Sequence, residues 1–512
     1  MSSQPAEPEK YSLDDMLERL QNKPSSETDD AGELVTRADG TQAIKVRKRK
    51  RRSTQPHKEA AKKASRMRAF QVSSVVLLLI LLALTLGGLI VYANSSPYRK
   101  GVIAKFNTAT GAKTEFQQLM VSPTGSVANQ VRFQWPEGNH LKSLTLTGVR
   151  AQALMGGIMG SRWGVDEVSA ASGTLVIGTP QGGEPLRFFP KQAGNPPVSI
   201  ERLAVASLNL NLGDPSSPAV QLLKTEASFY PENVEGLPSV RLFRGEVRVP
   251  NWPLFRVDRG LLEFRGSEIS IVSLRLFHEL DNTGNIELSG KFDPSDLRQE
   301  QSLDVKMNSF NLNGIAGSSL GHLVAGRIDS RDTGGPNQLT FSSAKPHGKL
   351  TISFASAPNT LPRLNNFSFL GKLSQITDNP WFLDPLFHDG CTGLLHRENG
   401  VVRISDLSLT SKNQLKVTGD LSLQPNDSLS GTLNIGLPEA TVMGGRNPAL
   451  PKVFAESHDG FRWITLKISG TGSRPTDDFL ERIQAAGGLS ATSDAPHAPQ
   501  DMFERLTAPK GK

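Results

Sequence analysis

Hydrophobic and polar residues follow different rhythms in different parts of this chain of 512 residues. Between residues 69 and 98 there is no charged side chain, and Val75, Val76, Leu77, Leu78, Leu79, Ile80, Leu81 and Leu82 run without a polar break. A helix over 69–93 is roughly 37 Å long, enough to cross a hydrocarbon core of about 30 Å with some tilt. Its large apolar side chains favour insertion by roughly 5–9 kcal/mol, which Gln71, Ser73, Ser74 and Thr85 offset only in part. A surface helix of a soluble protein keeps one polar face, and this segment keeps none. Val91-Tyr92-Ala93 has the look of a signal cleavage site, but the apolar stretch is too long for one and 68 residues precede it. The pattern predicts a transmembrane helix over 69–93.

From about Thr108 the rhythm changes to alternation. Leu415, Val417, Leu421 and Leu423 alternate with polar residues, and so do Leu429, Leu433, Ile435 and Leu437. Leu208, Leu210 and Leu212 follow the same rule, as do Leu303, Val305 and Met307. Alternation places apolar groups on one sheet face and polar groups on the other. An internal repeat stands out: Gly260-Leu261-Leu262 precedes Ile269, Ile271, Leu274 and Leu276, and Gly393-Leu394-Leu395 precedes Val402, Ile404, Leu407 and Leu409 at identical spacing. Each copy leads to a strand with a glycine, Ile286-Leu288-Gly290-Phe292 in the first and Leu415-Val417-Gly419-Leu421 in the second. The expected fold is mainly β, an elongated, curled antiparallel sheet or repeated β-meander, with one N-terminal transmembrane helix and few short helices. One of those helices is expected near the end, with Thr476 as its cap ahead of Asp477.

Before the apolar segment, residues 12–20 fit a short amphipathic helix, with Ser12 as cap and Leu13, Met16, Leu17 and Leu20 on one face. It reads as a dock for a cytoplasmic partner or as nascent structure in a disordered tail. Residues 23–42 are polar and aperiodic and read as a linker. The expected organisation is a cytoplasmic tail over 1–68, the helix over 69–93, the first part of a β-rich domain over 94–250, the repeat region over 251–487, and a disordered tail over 488–512.

Charge fixes the orientation. The net charge of +7 is concentrated: residues 1–44 carry −6 and residues 45–68 carry +11, which leaves +2 for the remainder. The bases precede the apolar helix, so positive-inside asymmetry places the N-terminus in the cytoplasm. The basic block is read as an orientation signal and not as a nucleic-acid patch. Cys391 is the only cysteine, which excludes an intramolecular disulfide and a cysteine metal cluster. A β-rich domain outside the cytoplasm without disulfides suits a bacterial envelope. No cofactor or metal is expected. His388-Asp389 beside Cys391 is read as a turn, since adjacency in sequence does not make a nucleophile–base pair. Residues 380–387, Pro-Trp-Phe-Leu-Asp-Pro-Leu-Phe, read as core in preference to a lid.

A sheet with one apolar face must hide it. Helices look too few to do so. Either a second sheet fills the interior, or the sheet curls and leaves a groove for acyl chains, each CH₂ contributing about 0.8 kcal/mol. Residues 390–438 resemble the C-terminal repeat region of AsmA-like bacterial envelope proteins. The likeness is carried by Gly393-Leu394-Leu395, Asn399-Gly400-Val401-Val402-Arg403-Ile404, Asp406-Leu407-Ser408-Leu409 and Val417-Thr418-Gly419-Asp420-Leu421-Ser422-Leu423, with a second match at residues 463–470. The resemblance implies a protein anchored in the inner membrane, its large domain periplasmic, binding or conducting phospholipid or another envelope lipid and supporting outer-membrane assembly. No phosphate-cradling glycine loop, paired-histidine helix or nucleophile elbow stands out, so no enzymatic activity is expected. The groove would be lined by Ile269, Ile271, Leu274, Leu276, Val402, Ile404, Leu407, Leu409, Leu415, Val417, Leu421 and Leu423. The alternative is an envelope scaffold whose tail docks a partner through residues 12–20. The long charged tail ahead of the anchor departs from many such proteins.

Overall fold

A computed structural model describes residues 33–36, 38–45, 55–122, 124–152, 163–178, 198–214, 216–231, 236–266, 268–294, 299–332, 336–342 and 345–487. The candidate helix at 12–20 and the tail at 488–512 lie outside the described residues. The chain divides into two compact units, Met1–Thr85 and Leu86–Lys512.

In the first unit, β1 (Glu33–Thr36) pairs antiparallel with β2 (Gln42–Lys45). The sequence reading makes this stretch a linker. The turn chemistry overrides the low hydrophobicity: Asp39 Oδ1 accepts bonds from the Thr41 N–H (3.2 Å) and hydroxyl (2.7 Å), and Gly40 supplies a positive φ. Helix α1 (Gln55–Ala93) then runs unbroken from the basic segment through Phe70–Ala93, the stretch long and apolar enough to cross a membrane. The Ser73, Ser74 and Thr85 hydroxyls donate to carbonyls three residues back, so these polar groups are satisfied within the helix.

The second unit opens with α2 (Ser96–Thr110), which has Pro97 in its first turn and ends where Gly111 turns left-handed. Next, β3 (Lys113–Gln117) and β4 (Met120–Ser122) both pair with β5 (Gly125–Gln134), which pairs with β6 (Leu141–Ala151). Strands β7 (Trp163–Ala170) and β8 (Ser172–Ile177) lie antiparallel to β6 and parallel to β9 (Val198–Asp214). The sheet is therefore mixed, where alternation alone suggested an antiparallel one. A parallel join needs a crossover connection, and alternation carries no information about strand direction.

An antiparallel meander follows: β10 (Ser217–Tyr230), β11 (Ser239–Phe243) with β12 (Glu246–Arg248), β13 (Phe255–Arg265), β14 (Glu268–His278), β15 (Asp281–Phe292) and β16 (Gln301–Asn308). Short elements interrupt it: β17 (Phe310–Asn311), α3 (Asn313–Leu323), β18 (Val324–Ala325), β19 (Arg327–Ser330) and β20 (Gln338–Ser342). After β21 (Lys345–Ser356) come β22 (Arg363–Leu364), α4 (Ser368–Thr377) and a 3-10 turn at Pro380–Leu383. The meander resumes with β23 (Cys391–Glu398), β24 (Val401–Ser411), β25 (Leu415–Leu423) and β26 (Leu429–Pro438). It ends through α5 (Glu439–Met443), α6 (Leu450–Val453), β27 (Glu456–His458), β28 (Phe461–Gly470), β29 (Pro475–Asp477) and α7 (Phe479–Ala485). At α7 it is Asp477 Oδ1 that accepts the Phe479 N–H (3.2 Å), while Thr476 belongs to β29.

The sequence repeat is a structural one. β13–β15 and β23–β25 are matching three-strand units, each with a bulge ahead of the corresponding leucine, Leu274 or Leu407. Their third strands differ in register by two residues: Gly290 lies opposite Ile271, whereas Gly419 lies opposite Leu407. A two-residue slip preserves the facing of every side chain, so both copies keep their apolar face inward.

Helices cover far more of the sheet than the sequence reading allowed. In α4, Phe369, Leu370, Leu373 and Ile376 form a buried stripe at helical spacing. From α3 come Ile315, Leu320 and Leu323, from α5 and α6 Val442 and Leu450, and from α7 Phe479 and Ile483, all with at most 1% exposure. These helices close over the C-terminal half of the sheet. They are too short, and α3 too glycine-rich, for a long-window periodicity search to find.

Candidate functional site

All twelve residues expected to line a groove lie on the inner face of the sheet, and the tertiary structure separates them into two environments. On β24 and β25, Ile404, Leu407, Leu409, Leu415, Val417 and Leu421 have no exposure, Val402 has 2% and Leu423 has 8%. They belong to one apolar core with Phe354, Phe369, Phe382 and Phe387. A space wide enough for an acyl chain would admit water-sized contact with its lining, so these eight residues line packed protein. Short helices supply the cover that the sequence seemed to lack.

On β14, Ile269, Ile271 and Leu276 are buried and Leu274 is partly exposed. This copy faces a differently built interior. Across the ladder, Leu175 meets Leu210 and Leu210 meets Leu222, while Ile177, Leu212 and Val220 form the next row. Further on, Leu262 meets Ile271, and Phe264, Ile269 and Phe292 share a row. Of these, Leu175, Leu210, Leu212, Val220, Leu222, Leu262, Phe264 and Phe292 all retain partial exposure. The sheet curls here until distant strands meet. Leu141 of β6 and Ile177 of β8 form an apolar cluster with Ile269 of β14 that is separate from the main core. His140, fully buried at the start of β6, feels the Asp293 carboxylate just beyond β15. Burial pushes the His140 ring below the ordinary histidine range, Asp293 opposes this, and Lys142 adds to it. The result is a partly exposed apolar face across β8–β10 and β13–β15, with Leu175, Leu210, Leu212, Leu262, Phe264 and Phe292 packed against that cluster.

Sequence reasoning assigned Leu208, Leu210 and Leu212 to the fold but not to the site. Their alternation was the available signal, and the glycine repeat drew the assignment toward the filled copy. Gly260 and Gly393 are placed alike, each leaving room for a large inward side chain: a Cβ on Gly260 would lie 3.0 Å from Leu274, and one on Gly393 would lie 2.7 Å from Phe354.

The interior holds one notable cation. Arg397 on β23 faces inward with 8% exposure and donates to the carbonyls of Ile315 and Asn251, its guanidinium 5.4 Å from the Trp252 ring. Burial lowers its pKa to about 10. Trp252 also donates to the His347 carbonyl at 2.9 Å, so the turn before β13 is tied to α3, β21 and β23. Arg397 is a strut between elements.

Cys391 is 3% exposed, and burial pushes its thiol up to about 12. Asp389 receives the Lys412 N–H at 2.7 Å and pairs with the Lys412 ammonium at 3.9 Å, so it ties the start of β23 to the turn after β24. In the segment 380–387, Phe382 and Phe387 are fully buried, while Leu383 is exposed. Among the described residues no group of three or more His, Cys, Asp or Glu is placed to hold a metal ion.

No family model matches this chain, and neither a curated protein nor a solved structure matches it. The likeness to AsmA-like proteins therefore rests on the residues quoted for it.

Proposed function

We propose that this is an inner-membrane-anchored periplasmic protein of the AsmA-like type, which holds lipid acyl chains in a trough along the partly exposed apolar face across β8–β10 and β13–β15 and supports outer-membrane assembly. The carrying observation is the contrast between two halves built on the same repeat. In the C-terminal half helices fill the inner face, and its side chains on β24 and β25 are at most 8% exposed. In the N-terminal half the inner face keeps partly exposed Leu, Val and Phe beside buried Ile177, Val247, Phe255 and Ile269. A band of this kind is stabilised when an apolar guest takes the place of water, by about 0.8 kcal/mol for each CH₂ transferred. Phe70–Ala93 supplies the anchor, and the bases ahead of it set the orientation.

The test is photo-crosslinking in living cells. A benzophenone amino acid replaces Leu210 or Phe264 in the trough, and in separate strains Val417 in the filled half or Leu79 in the anchor. Lipid adducts on the peptides carrying positions 210 and 264, and none at 417, support the proposal. Adducts at position 79 alone sink it. A second reading, a cargo-free envelope scaffold, draws on the solid packing of the C-terminal half. It predicts that deleting residues 12–20 releases a cytoplasmic partner and weakens the envelope, whereas Leu210→Glu on the β9 face changes neither.

A further inference from the structure

The end of the apolar helix is bonded to the first edge of the sheet. Asn94, the residue after Phe70–Ala93, donates through Nδ2 to the Val121 carbonyl at 2.8 Å and accepts the Val121 N–H through Oδ1 at 2.9 Å. Its Nδ2 also reaches the Ile90 carbonyl at 2.9 Å, and Ala93 is 2% exposed within the main core. This two-way bond, made to both polar groups of one β4 residue, ties β4 to the residue that follows the apolar helix.

The outward face at this level is unusual for a sheet surface. Met120 and Val127 are register partners, 68% and 46% exposed, and Arg150 continues the row on β6. Beside them, a polar recess of about 300 Å³ is lined by Ser122, Thr124, Ser126, Arg150, Glu167 and Ser169 among others. On the helical side, Tyr92 and Tyr98 pack edge to face at 5.8 Å, and Lys100 is exposed on α2. Paired tyrosines with bases next to an apolar helix are the composition of a membrane–water interface. The headgroup layer is roughly 5–8 Å deep on each side, and a strand pair is about 4.8 Å wide. The Met120–Val127 pair therefore lies within reach of that layer.

We propose that the outer face of the β4–β5 hairpin is a membrane seat: Met120 and Val127 enter the interfacial layer beside the anchor, with Arg150 and Lys100 at the level of the lipid phosphates. The occupant is the lipid surface itself. The argument is continuity with the membrane segment, enforced by Asn94, and the inference rests on Phe70–Ala93 spanning the bilayer.

The test uses the full chain in nanodiscs of phosphatidylcholine and phosphatidylglycerol. Single cysteines are placed at Met120→Cys, Val127→Cys, Lys467→Cys on the far end of the sheet and Leu79→Cys within the anchor, each labelled with an environment-sensitive fluorophore. The native Cys391 is buried and does not compete for label. Labels at 120 and 127 are expected to shift to the blue and to lose about half their emission to nitroxides near the headgroups, since interfacial groups lie roughly 5–10 Å deep. The label at 467 is expected to be unaffected, and the label at 79 to be quenched best by deep nitroxides. Labels at 120 and 127 that behave like 467 while 79 is quenched overturn the seat alone. An unquenched label at 79 overturns the spanning helix and the seat with it.

Discussion

Truncating one leucine in each half of the sheet decides whether the trough is a distinct environment. Leu407 has no exposure and lies opposite Gly419, which offers no side chain to lean into the space. Gly419 cannot fill that space by substitution either, since a Cβ there would fall 2.1 Å from the Thr432 carbonyl oxygen. Leu407→Ala removes three buried carbons, worth about 2.4 kcal/mol of transfer free energy, and the unrelaxed cavity raises the expected loss to about 3–5 kcal/mol. Leu210 lies between Leu175 and Leu222 on a face that already admits water, so Leu210→Ala should lose only about 1 kcal/mol. The assay is urea unfolding of the full chain in detergent micelles, followed by tryptophan fluorescence, with the slopes compared to confirm that only the midpoint moves. Equal losses for the two variants would refute the contrast, because they would mean that Leu210 is as tightly packed as Leu407.

Three further outcomes follow from named contacts. Gly419→Ala forces a Cβ against the Thr432 carbonyl at φ +143°, and should destabilise by about 3 kcal/mol or more; Gly290→Ala, at φ +131° but only 3.2 Å from a movable Leu303 methyl, should cost less in the same unfolding experiment. Stability should fall as the pH drops below 6.5, because burial holds the folded His140 and His396 rings below that value and the unfolded chain therefore binds the proton first. At His396 the Lys349 and Arg403 charges push the same way and Asp406 opposes them, so the double variant His140→Gln with His396→Gln should flatten the fall in urea midpoint between neutral pH and about pH 5. Cys391, buried with its thiol raised to about 12, should stay unlabelled by a maleimide until urea unfolds the domain; rapid labelling of the folded chain would contradict its placement.

The local pattern carried much of this architecture. Residues 69–93 could be read as a membrane-crossing helix because length and the absence of charge are properties of the chain alone. Alternation placed the candidates of each run on one face, and the bulges ahead of Leu274 and Leu407 carry the later pair of each repeat to the same side. The repeat was visible for the same reason, and a two-residue slip in register left its apolar face intact. What covers that face was not legible. Whether Val402 and Leu407 meet solvent, lipid or Phe354 depends on α3 to α7, helices of modest length that reach the inner face only because residues far apart in sequence come together. The strand direction at β9 and the meeting of Leu141, Ile177 and Ile269 depend likewise on connections between distant strands. The sequence by itself determined the long apolar helix and the apolar faces of the strands, because both follow from neighbouring residues. The tertiary structure decided which copy of the repeat is fully buried and which keeps partial exposure, because filling is a matter of volume, and volume is shared by segments the chain brings together only on folding.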